Sequence, residues 1–180
     1  MGRSIQGFIS STTSKPTKKA KNRPGWRGKQ ELLGGKLVEQ SESPTRELTV
    51  EEALELAILL QKNEQLAAAH QLYHRVIEVA PNHPRALHYA GVLAHQQGHS
   101  DEAVALIERS LALVPDQADW YSNLGIIFQS DGQLEQAIDA YRRAVAIDPS
   151  HANAYSNLGV ALRRLENRLK RKQRIAQLFD

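Results

Sequence analysis

Residues 121–149 read YSNLGIIFQSDGQLEQAIDAYRRAVAIDP, and this stretch decides the fold of the chain. Shifted back by 34 positions, it falls on residues 87–115, which read LHYAGVLAHQQGHSDEAVALIERSLALVP. Shifted forward by the same number, its first five letters fall on an identical YSNLG at residues 155–159. A fixed period between about 20 and 50 residues is typical of stacked repeats. The sequence therefore predicts a solenoid of similar units.

Each unit is predicted to contain two helices joined by a short turn. Apolar residues such as Leu124 and Phe128 recur at helical spacing, which indicates the first helix. Gly98 and Gly132 occupy equivalent turn positions before the second helix. That second helix ends before Pro149, because proline lacks the N–H group that would continue the hydrogen-bond pattern. The unit is therefore a helix–turn–helix.

Two columns of the repeat hold small residues in successive units, namely Gly91, Gly125 and Gly159 in one and Ala69, Ala103 and Ala137 in the other. Ala57 is the first member of the glycine column, and the alanine column ends where Arg171 stands in the fourth unit. Glycine inside a helix costs about 1 kcal/mol relative to alanine, so its recurrence in register indicates a packing role. Small residues let two helix backbones approach closely. Larger side chains are predicted to fill the space around these contacts, as Tyr73, Ile107 and Tyr141 do in one column.

With these residues the unit resembles a tetratricopeptide repeat, which has 34 residues, a Leu-Gly pair, a later Ala, an aromatic residue and a closing Pro. The resemblance implies an all-α fold, a right-handed superhelical solenoid of about three and a half repeats. The predicted segments are a disordered basic tail, a divergent first repeat, two regular repeats, and a partial fourth repeat or basic capping helix. They cover residues 1–45, 49–81, 84–115, 118–149 and 152–180.

Both ends of the ordered region have sequence signals. Thr49 and Glu52 have the spacing of a capping box, which predicts that the first helix begins there. The last segment, LRRLENRLKRKQRIAQLFD at residues 162–180, is predicted to form one or two helical pieces that pack on the third unit. Its basic residues would then point outward, as expected of a terminal cap in a repeat array.

The charges are unevenly distributed along the chain. Residues 1–45 contain nine Lys and Arg against three acidic residues, and residues 162–180 contain seven against two. Residues 46–161 contain seven Lys and Arg against fifteen acidic residues. An acidic solenoid between two basic ends predicts basic or neutral partners for the solenoid. The basic ends leave nucleic-acid binding open as a weaker alternative, with strong salt dependence as its signature.

No motif in the sequence predicts catalysis or a bound cofactor. The chain has no Cys, no nucleotide-binding loop and no Ser–His–Asp order, so we expect a non-enzyme without a cofactor. The seven histidines include two i,i+4 pairs without a third ligand, so we expect surface histidines and no metal site. No apolar run reaches 18 residues and no secretory signal is evident, which predicts a cytoplasmic protein without a transmembrane segment.

The resemblance also implies a binding groove, because the first helix of each repeat lines the concave face in this family. By register, the predicted peptide-binding residues are Arg85, His88, Tyr89, His95, Ser122, Asn123, Gln129, Asn153, Asn157 and Arg163. The same register adds Asp119, Ile126 and Ser156 to the lining. Asn123 and Asn157 share one column. Such asparagines form a ladder that binds peptide backbone in the O-linked N-acetylglucosamine transferase and SPINDLY-like repeats, which these YSNLG segments resemble.

Two functions remain open at this point. The chain is predicted to be a protein–protein interaction scaffold that binds a peptide or partner segment in its groove. Alternatively, it is the substrate-recognition module of a glycosyltransferase similar to O-linked N-acetylglucosamine transferase, separated from the catalytic part. An Hsp90-type carboxylate clamp fits less well, because the groove columns offer mainly Arg85 and Arg163 as cations. The sequence predicts no particular oligomeric state.

Overall fold

The computed structural model describes residues 4–5 and 47–178 of the chain. This part of the chain contains seven α-helices and one pair of two-residue strands, β1 (Ser4–Ile5) and β2 (Leu48–Thr49), which pair antiparallel. The helices are α1 (Val50–Lys62), α2 (Leu66–Val79), α3 (Pro84–Gln96), α4 (Ser100–Leu113), α5 (Ala118–Ser130), α6 (Leu134–Ile147) and α7 (Ala152–Ala176). The rest of the predicted basic tail, residues 1–45, lies outside the described residues.

The helices form three consecutive helix–turn–helix units followed by one long helix. Within each unit the connector has three residues, at 63–65, 97–99 and 131–133, and between units it has four, at 80–83, 114–117 and 148–151. Each helix contacts the next one along the chain, and α5 also contacts α7. This arrangement confirms the prediction of an all-α solenoid of repeated helix pairs.

The first helix begins as the sequence predicts. The Thr49 hydroxyl accepts a hydrogen bond from the Glu52 backbone N–H at 3.2 Å, and the Glu52 carboxylate accepts one from the Thr49 N–H at 3.0 Å. Two first helices use a histidine instead. Nδ1 of His83 and Nδ1 of His151 each accept a hydrogen bond at 3.3 Å, from the N–H groups of Ala86 and Ala154 respectively.

The turns within the units need a left-handed backbone at one position. Gly98 and Gly132 have φ angles of 85° and 73°, which glycine adopts without a steric cost. Glu64 occupies the same position in the first unit, with a φ of 60°. In the fourth unit this position is Glu166, and here the chain makes no turn but continues as α7.

The small columns lie where the two helices of a unit touch. A β-carbon added to Gly91 would lie 2.7 Å from Ile107 Cγ1, and one added to Gly125 would lie 2.5 Å from the Tyr141 ring. The predicted packing role is therefore confirmed at these two glycines. Gly159 differs, because no atom of the described residues lies within 4 Å of a β-carbon placed there.

The end of α7 departs from the sequence-based expectation. Leu158 and Leu165 pack against the core of the third unit, and Arg168 Nη1 donates a hydrogen bond to the Gly132 carbonyl at 3.3 Å. Beyond that point residues 169–178 are exposed, so the prediction that this segment packs on the third unit is wrong for its last part. Leu169 and Ile175 are each about half exposed, at 50% and 49%.

Candidate binding groove

A cleft of about 440 Å³ lies between the first helices of the second, third and fourth units, α3, α5 and α7. Its lining includes six of the ten predicted groove residues, namely His88, Tyr89, Ser122, Asn123, Asn153 and Asn157. The other lining residues are Asp119, Trp120, Ile126, His151 and Ser156. The lining is thus rich in amides and hydroxyls, and Asp119 is the only carboxylate among its described residues.

His88 forms a buried wall of the cleft, so the expectation of surface histidines is wrong for this residue. It is 3% exposed, and its ring stacks on Trp120 with the centroids 4.8 Å apart and the planes 12° from parallel. Burial lowers the pKa of His88 to about 4, because desolvation penalises the charged imidazolium. The imidazole is therefore neutral near pH 7.

The neutral imidazole of His88 orients an amide in the next unit. His88 Nε2 lies 3.3 Å from Asn123 Nδ2, which fits an amide N–H donating to the ring nitrogen. His88 Nδ1 is buried and has no hydrogen-bond partner among the described residues. Asn123 is thus fixed on one side by the wall of the cleft, while its amide oxygen is not used by this bond.

The fourth unit contributes amides that are less constrained. Asn153 is exposed and Asn157 is half-buried on α7, and neither makes a side-chain hydrogen bond within residues 47–178. Asn123 and Asn157 occupy equivalent positions in two successive units, as the 34-residue period requires. The cleft therefore presents two amides in register along the stack.

Four predicted groove residues lie outside this cleft. Arg85 is paired with acids of α1, through Nη1 to Glu51 at 3.3 Å and Nη2 to Glu55 at 2.6 Å. Arg163 is exposed on α7. The interpretation of Arg85 as a cation available to a ligand carboxylate does not fit this geometry, since its guanidinium already bridges two neighbouring carboxylates.

The two remaining residues share a column near the other end of the first helices. Gln129 accepts a hydrogen bond from the Tyr141 hydroxyl at 3.4 Å, and in the first unit Gln61 accepts one from Tyr73 at 2.8 Å. In the second unit the column holds His95, and Ile107 replaces the tyrosine. His95 is half-buried, and its Nδ1 has no hydrogen-bond partner among the described residues. Gln61 and Gln129 therefore tie the two helices of their own units together, and His95 makes no such bond.

His151 is a cleft residue that the sequence analysis did not single out. Its Nδ1 caps α7, and its Nε2 lies 3.1 Å from Asp119 Oδ1, although the approach is out of line for a hydrogen bond. His83 occupies the equivalent place two units earlier, with Nε2 2.8 Å from Glu51. The 68-residue separation, twice the period, was the signal in the sequence that marks these two histidines as equivalent.

Two further clefts lie on the side of the second helices and are equivalent to each other. One, of about 440 Å³, is lined by residues such as Glu108, Leu111 and Phe128, and the other, of about 200 Å³, by His74, Ile77 and Ala94. These sets are separated by 34 residues, so the clefts recur with the stacking of units.

Neither a metal site nor a membrane span is present in the part of the chain that the structure describes. No group of three His, Cys, Asp or Glu side chains there could bind a metal ion. No helix there combines the length and apolar character that crossing a bilayer requires.

Comparisons with known proteins agree with this architecture. A family model for the TPR repeat matches residues 127–165, and one for the tetratricopeptide repeat matches residues 54–118. No curated protein matches the chain. A solved mutant O-GlcNAc transferase from Thermobaculum terrenum is similar at 32% identity and a TM-score of 0.60, over 63% of this chain and 22% of that one. The chain thus spans less than a quarter of that transferase.

Two other solved structures share the fold. The first TPR of Spaghetti (RPAP3), bound to the HSP90 peptide SRMEEVD, is 18% identical with a TM-score of 0.63, over 65% of this chain and 93% of that one. YrrB, described as a TPR protein with an unusual peptide-binding site, is 25% identical with a TM-score of 0.57, over 59% and 55%. The 34-residue period, the stacked helix pairs and the two family models together show that this chain belongs to the tetratricopeptide repeat family.

Proposed function

We propose that this chain is a non-catalytic protein-interaction scaffold that binds an extended peptide in the cleft between α3, α5 and α7. One observation carries the proposal: six residues predicted from the repeat register lie around one polar cleft. Two similar structures with peptide-related titles support the same class of ligand, one bound to an HSP90 peptide and one with a peptide-binding site. The protein itself contributes positioning, without a reacting group.

The amides of the cleft suit peptide backbone as a ligand. An asparagine side chain offers two N–H donors and one carbonyl acceptor, so it can pair with the N–H and C=O groups of an extended chain. Asn123 and Asn157 repeat this group on successive helices, and Asn153 adds a third amide nearby. Because these contacts ignore the ligand's side chains, we infer that the cleft binds a range of sequences.

The charges favour a neutral or basic peptide over an acidic one. Asp119 is the carboxylate at the cleft, and its side chain is 87% exposed. Neither arginine of the predicted groove lines the cleft, and Arg85 is occupied by Glu51 and Glu55. A ligand that ends in carboxylates, such as the SRMEEVD peptide of the Spaghetti structure, would meet no free arginine here. Charge complementarity therefore selects against it.

The test begins with selection of peptides from a displayed library on the immobilised full chain. The tightest peptide is then titrated against the original protein and against the double variant Asn123→Ala with Asn157→Ala, using fluorescence anisotropy. Each lost hydrogen bond costs about 1 kcal/mol, so the double variant is expected to bind about 30-fold more weakly. SRMEEVD is titrated in parallel and is expected to bind more weakly than the selected peptide.

The matched control is Asn167→Ala, which changes an exposed asparagine that lies on α7, like Asn157, but outside the cleft. This variant is expected to keep the original affinity, and circular dichroism should show equal helicity for all proteins. If the double variant bound the selected peptide as tightly as the original protein, the asparagine pair would not be the binding element.

A second candidate function rests on the similarity to the transferase. At 32% identity, the repeats of this chain match a segment of an O-GlcNAc transferase that covers 22% of that enzyme. We propose as the alternative that the chain serves as a substrate-recognition module of such a glycosyltransferase. Sequencing of the full transcript distinguishes the two functions. A glycosyltransferase region in the same reading frame, or in an adjacent gene, would support the module, and its absence from both would favour the free scaffold.

A further inference from the structure

The third unit shows how a first helix accepts its second helix. In the third unit, Tyr141 of α6 lies against Gly125 of α5, where an added β-carbon would come within 2.5 Å of the ring. Phe128, one turn further along α5, is covered and 8% exposed. A glycine in contact with a large side chain of the partner helix, followed by a large apolar residue, therefore defines the contact surface.

The fourth unit repeats this surface, and no helix of residues 47–178 covers it. Residues 155–159 of α7 are identical to residues 121–125 of α5, and Leu162 takes the place of Phe128. Within the part of the chain that the structure describes, nothing lies within 4 Å of a β-carbon at Gly159, and Tyr155 and Leu162 are 50% and 42% exposed. Together with Leu169, which is also 50% exposed, these residues form what we call the open face of α7.

The open face is distinct from the peptide cleft. The cleft residues of α7, Asn153 and Asn157, and the residues of the open face lie on opposite sides of the helix, as the period of 3.6 residues requires. Leu158 and Leu165 lie beside the open face and pack against the third unit, so α7 is fixed in place. The face can therefore be occupied whether or not the cleft holds a peptide.

The charges around the open face indicate which helix would fit it. Residues 162–178 contain seven Lys and Arg and one acidic residue, Glu166, which is paired with Lys170 at 2.6 Å. Arg163 and Arg174 are two exposed members of this basic set. A second copy of α7 would bring the same basic residues into contact with these and be repelled. An acidic helix gains electrostatic attraction instead.

We propose that the open face of α7 binds an acidic amphipathic helix of a partner protein, in the position that a second helix takes in the preceding units. The partner helix presents a large side chain to Gly159, as α6 presents Tyr141 to Gly125. Its acidic residues are attracted by the excess of basic residues on α7. Binding thereby completes the fourth repeat in trans and covers Tyr155 and Leu162.

The chain supplies its own probe, because α6 packs on the sequence that α7 repeats. A synthetic peptide of the α6 sequence, LEQAIDAYRRAVAI, carries Arg142→Glu and Arg143→Glu and is held helical by a staple on its polar side. Titrated by anisotropy against the full chain, it is expected to bind. The same stapled peptide with both arginines retained is expected to bind about tenfold more weakly, since it lacks the charge match.

Gly159→Leu is the decisive variant. It places a bulky side chain on the contact surface, and overpacking of this kind costs at least about 1.4 kcal/mol, or tenfold in affinity. The position is exposed, so the melting temperature is expected to be maintained or raised. Arg163→Glu with Arg174→Glu should weaken the acidic peptide in the same assay.

Two outcomes would overturn the proposal. One is equal affinity of the acidic peptide for the original chain and for Gly159→Leu, which would place the peptide elsewhere. The other is a dimer of the full chain in sedimentation experiments that becomes monomeric in Gly159→Leu, without peptide binding. That result would assign the open face to a second copy. Neither outcome bears on the asparagine cleft, which is tested with its own variants.

Discussion

Glu64 carries a local backbone strain that its equivalents in the next two units avoid. All three residues have a positive φ, but only Gly98 and Gly132 adopt it without a clash between the β-carbon and the backbone. The connector of the first unit has the same length as the others, so the chain reverses there despite the unfavourable residue. The first unit is therefore less stable than its contacts alone would make it.

Replacing Glu64 with glycine is expected to stabilise the protein. The left-handed conformation costs a non-glycine residue about 1–2 kcal/mol, and the greater flexibility of unfolded glycine offsets part of this gain. We expect a net increase of about 0.5–1 kcal/mol in the free energy of unfolding, measured by urea denaturation. Gly132→Ala is the reverse experiment and should lower the same quantity. A decrease in the free energy of unfolding for Glu64→Gly would show that the Glu64 side chain stabilises the protein by more than its strained backbone costs.

His88 makes the stability depend on pH. Its pKa is about 4 in the folded state, below the ordinary value of 6.5, so the unfolded chain takes up the proton first on acidification. Stability is therefore highest above pH 6.5 and falls between pH 6.5 and 4, by about 1.4 kcal/mol per pH unit from this residue. Denaturation curves across this range should show the loss.

The variant His88→Phe isolates this contribution. Phenylalanine keeps a ring that can stack on Trp120 but cannot be protonated. The difference in unfolding free energy between the two proteins should change by about 3 kcal/mol between pH 7 and 4, in the direction that favours the variant at low pH. Parallel pH profiles for both proteins would contradict the burial of a neutral imidazole.

At the scale of the helices, the glycine of the repeated YSNLG segment has different surroundings in the third and fourth units. Gly125 lies under the Tyr141 ring, while Gly159 faces open space on α7. The two glycines follow identical letters, so their difference comes only from the presence or absence of a second helix. At Glu166, the position of the turn glycine, the helix continues for ten more residues, to Ala176. A glutamate at this position does not by itself prevent the turn, because Glu64 makes it in the first unit.

Alanine at each glycine distinguishes these environments. Gly125→Ala forces the Tyr141 ring to move and is expected to destabilise the protein by about 2 kcal/mol. Gly159→Ala removes a flexible residue from an exposed helix and is expected to stabilise it by about 0.5–1 kcal/mol. Both values are measured by thermal or urea unfolding. Similar effects at the two sites would mean that the helices of the third unit are not packed as described.

At the scale of the whole molecule, the repeat explains what the sequence could predict. The helix pairs, their connectors and the contacts of Gly91 and Gly125 follow from one period, because equivalent residues have equivalent neighbours. Residues that depart from the repeat were less predictable. His88 occupies a column with Leu54 and Ser122, and its burial depends on Trp120 of the next unit. Arg85 replaces an acid in its column and therefore pairs with acids of the preceding unit.

The same reasoning applies to the candidate site. The register predicted six residues of the cleft, because the first helices stack in parallel and bring the residues of three columns together. The register placed both Gln129 and Asn123 in the groove. In the structure Gln129 instead accepts a hydrogen bond from Tyr141, outside the cleft, while Asn123 contacts His88 inside it. That choice depends on which hydroxyl or ring nitrogen lies within reach, which only the packed helices determine.

The three-residue connector between α5 and α6 has a consequence for assembly. Fully extended, three residues reach roughly 10 Å, so α6 can fold back only on the helix that immediately precedes it. Yet residues 155–159 of α7 are identical to residues 121–125 of α5, on which α6 packs. By surface chemistry alone, α6 of a neighbouring molecule could therefore pack on α7. The short connector keeps α6 paired with α5 of the same molecule. Lengthening it with flexible residues would release α6 to exchange between molecules, and the array would grow by domain swapping.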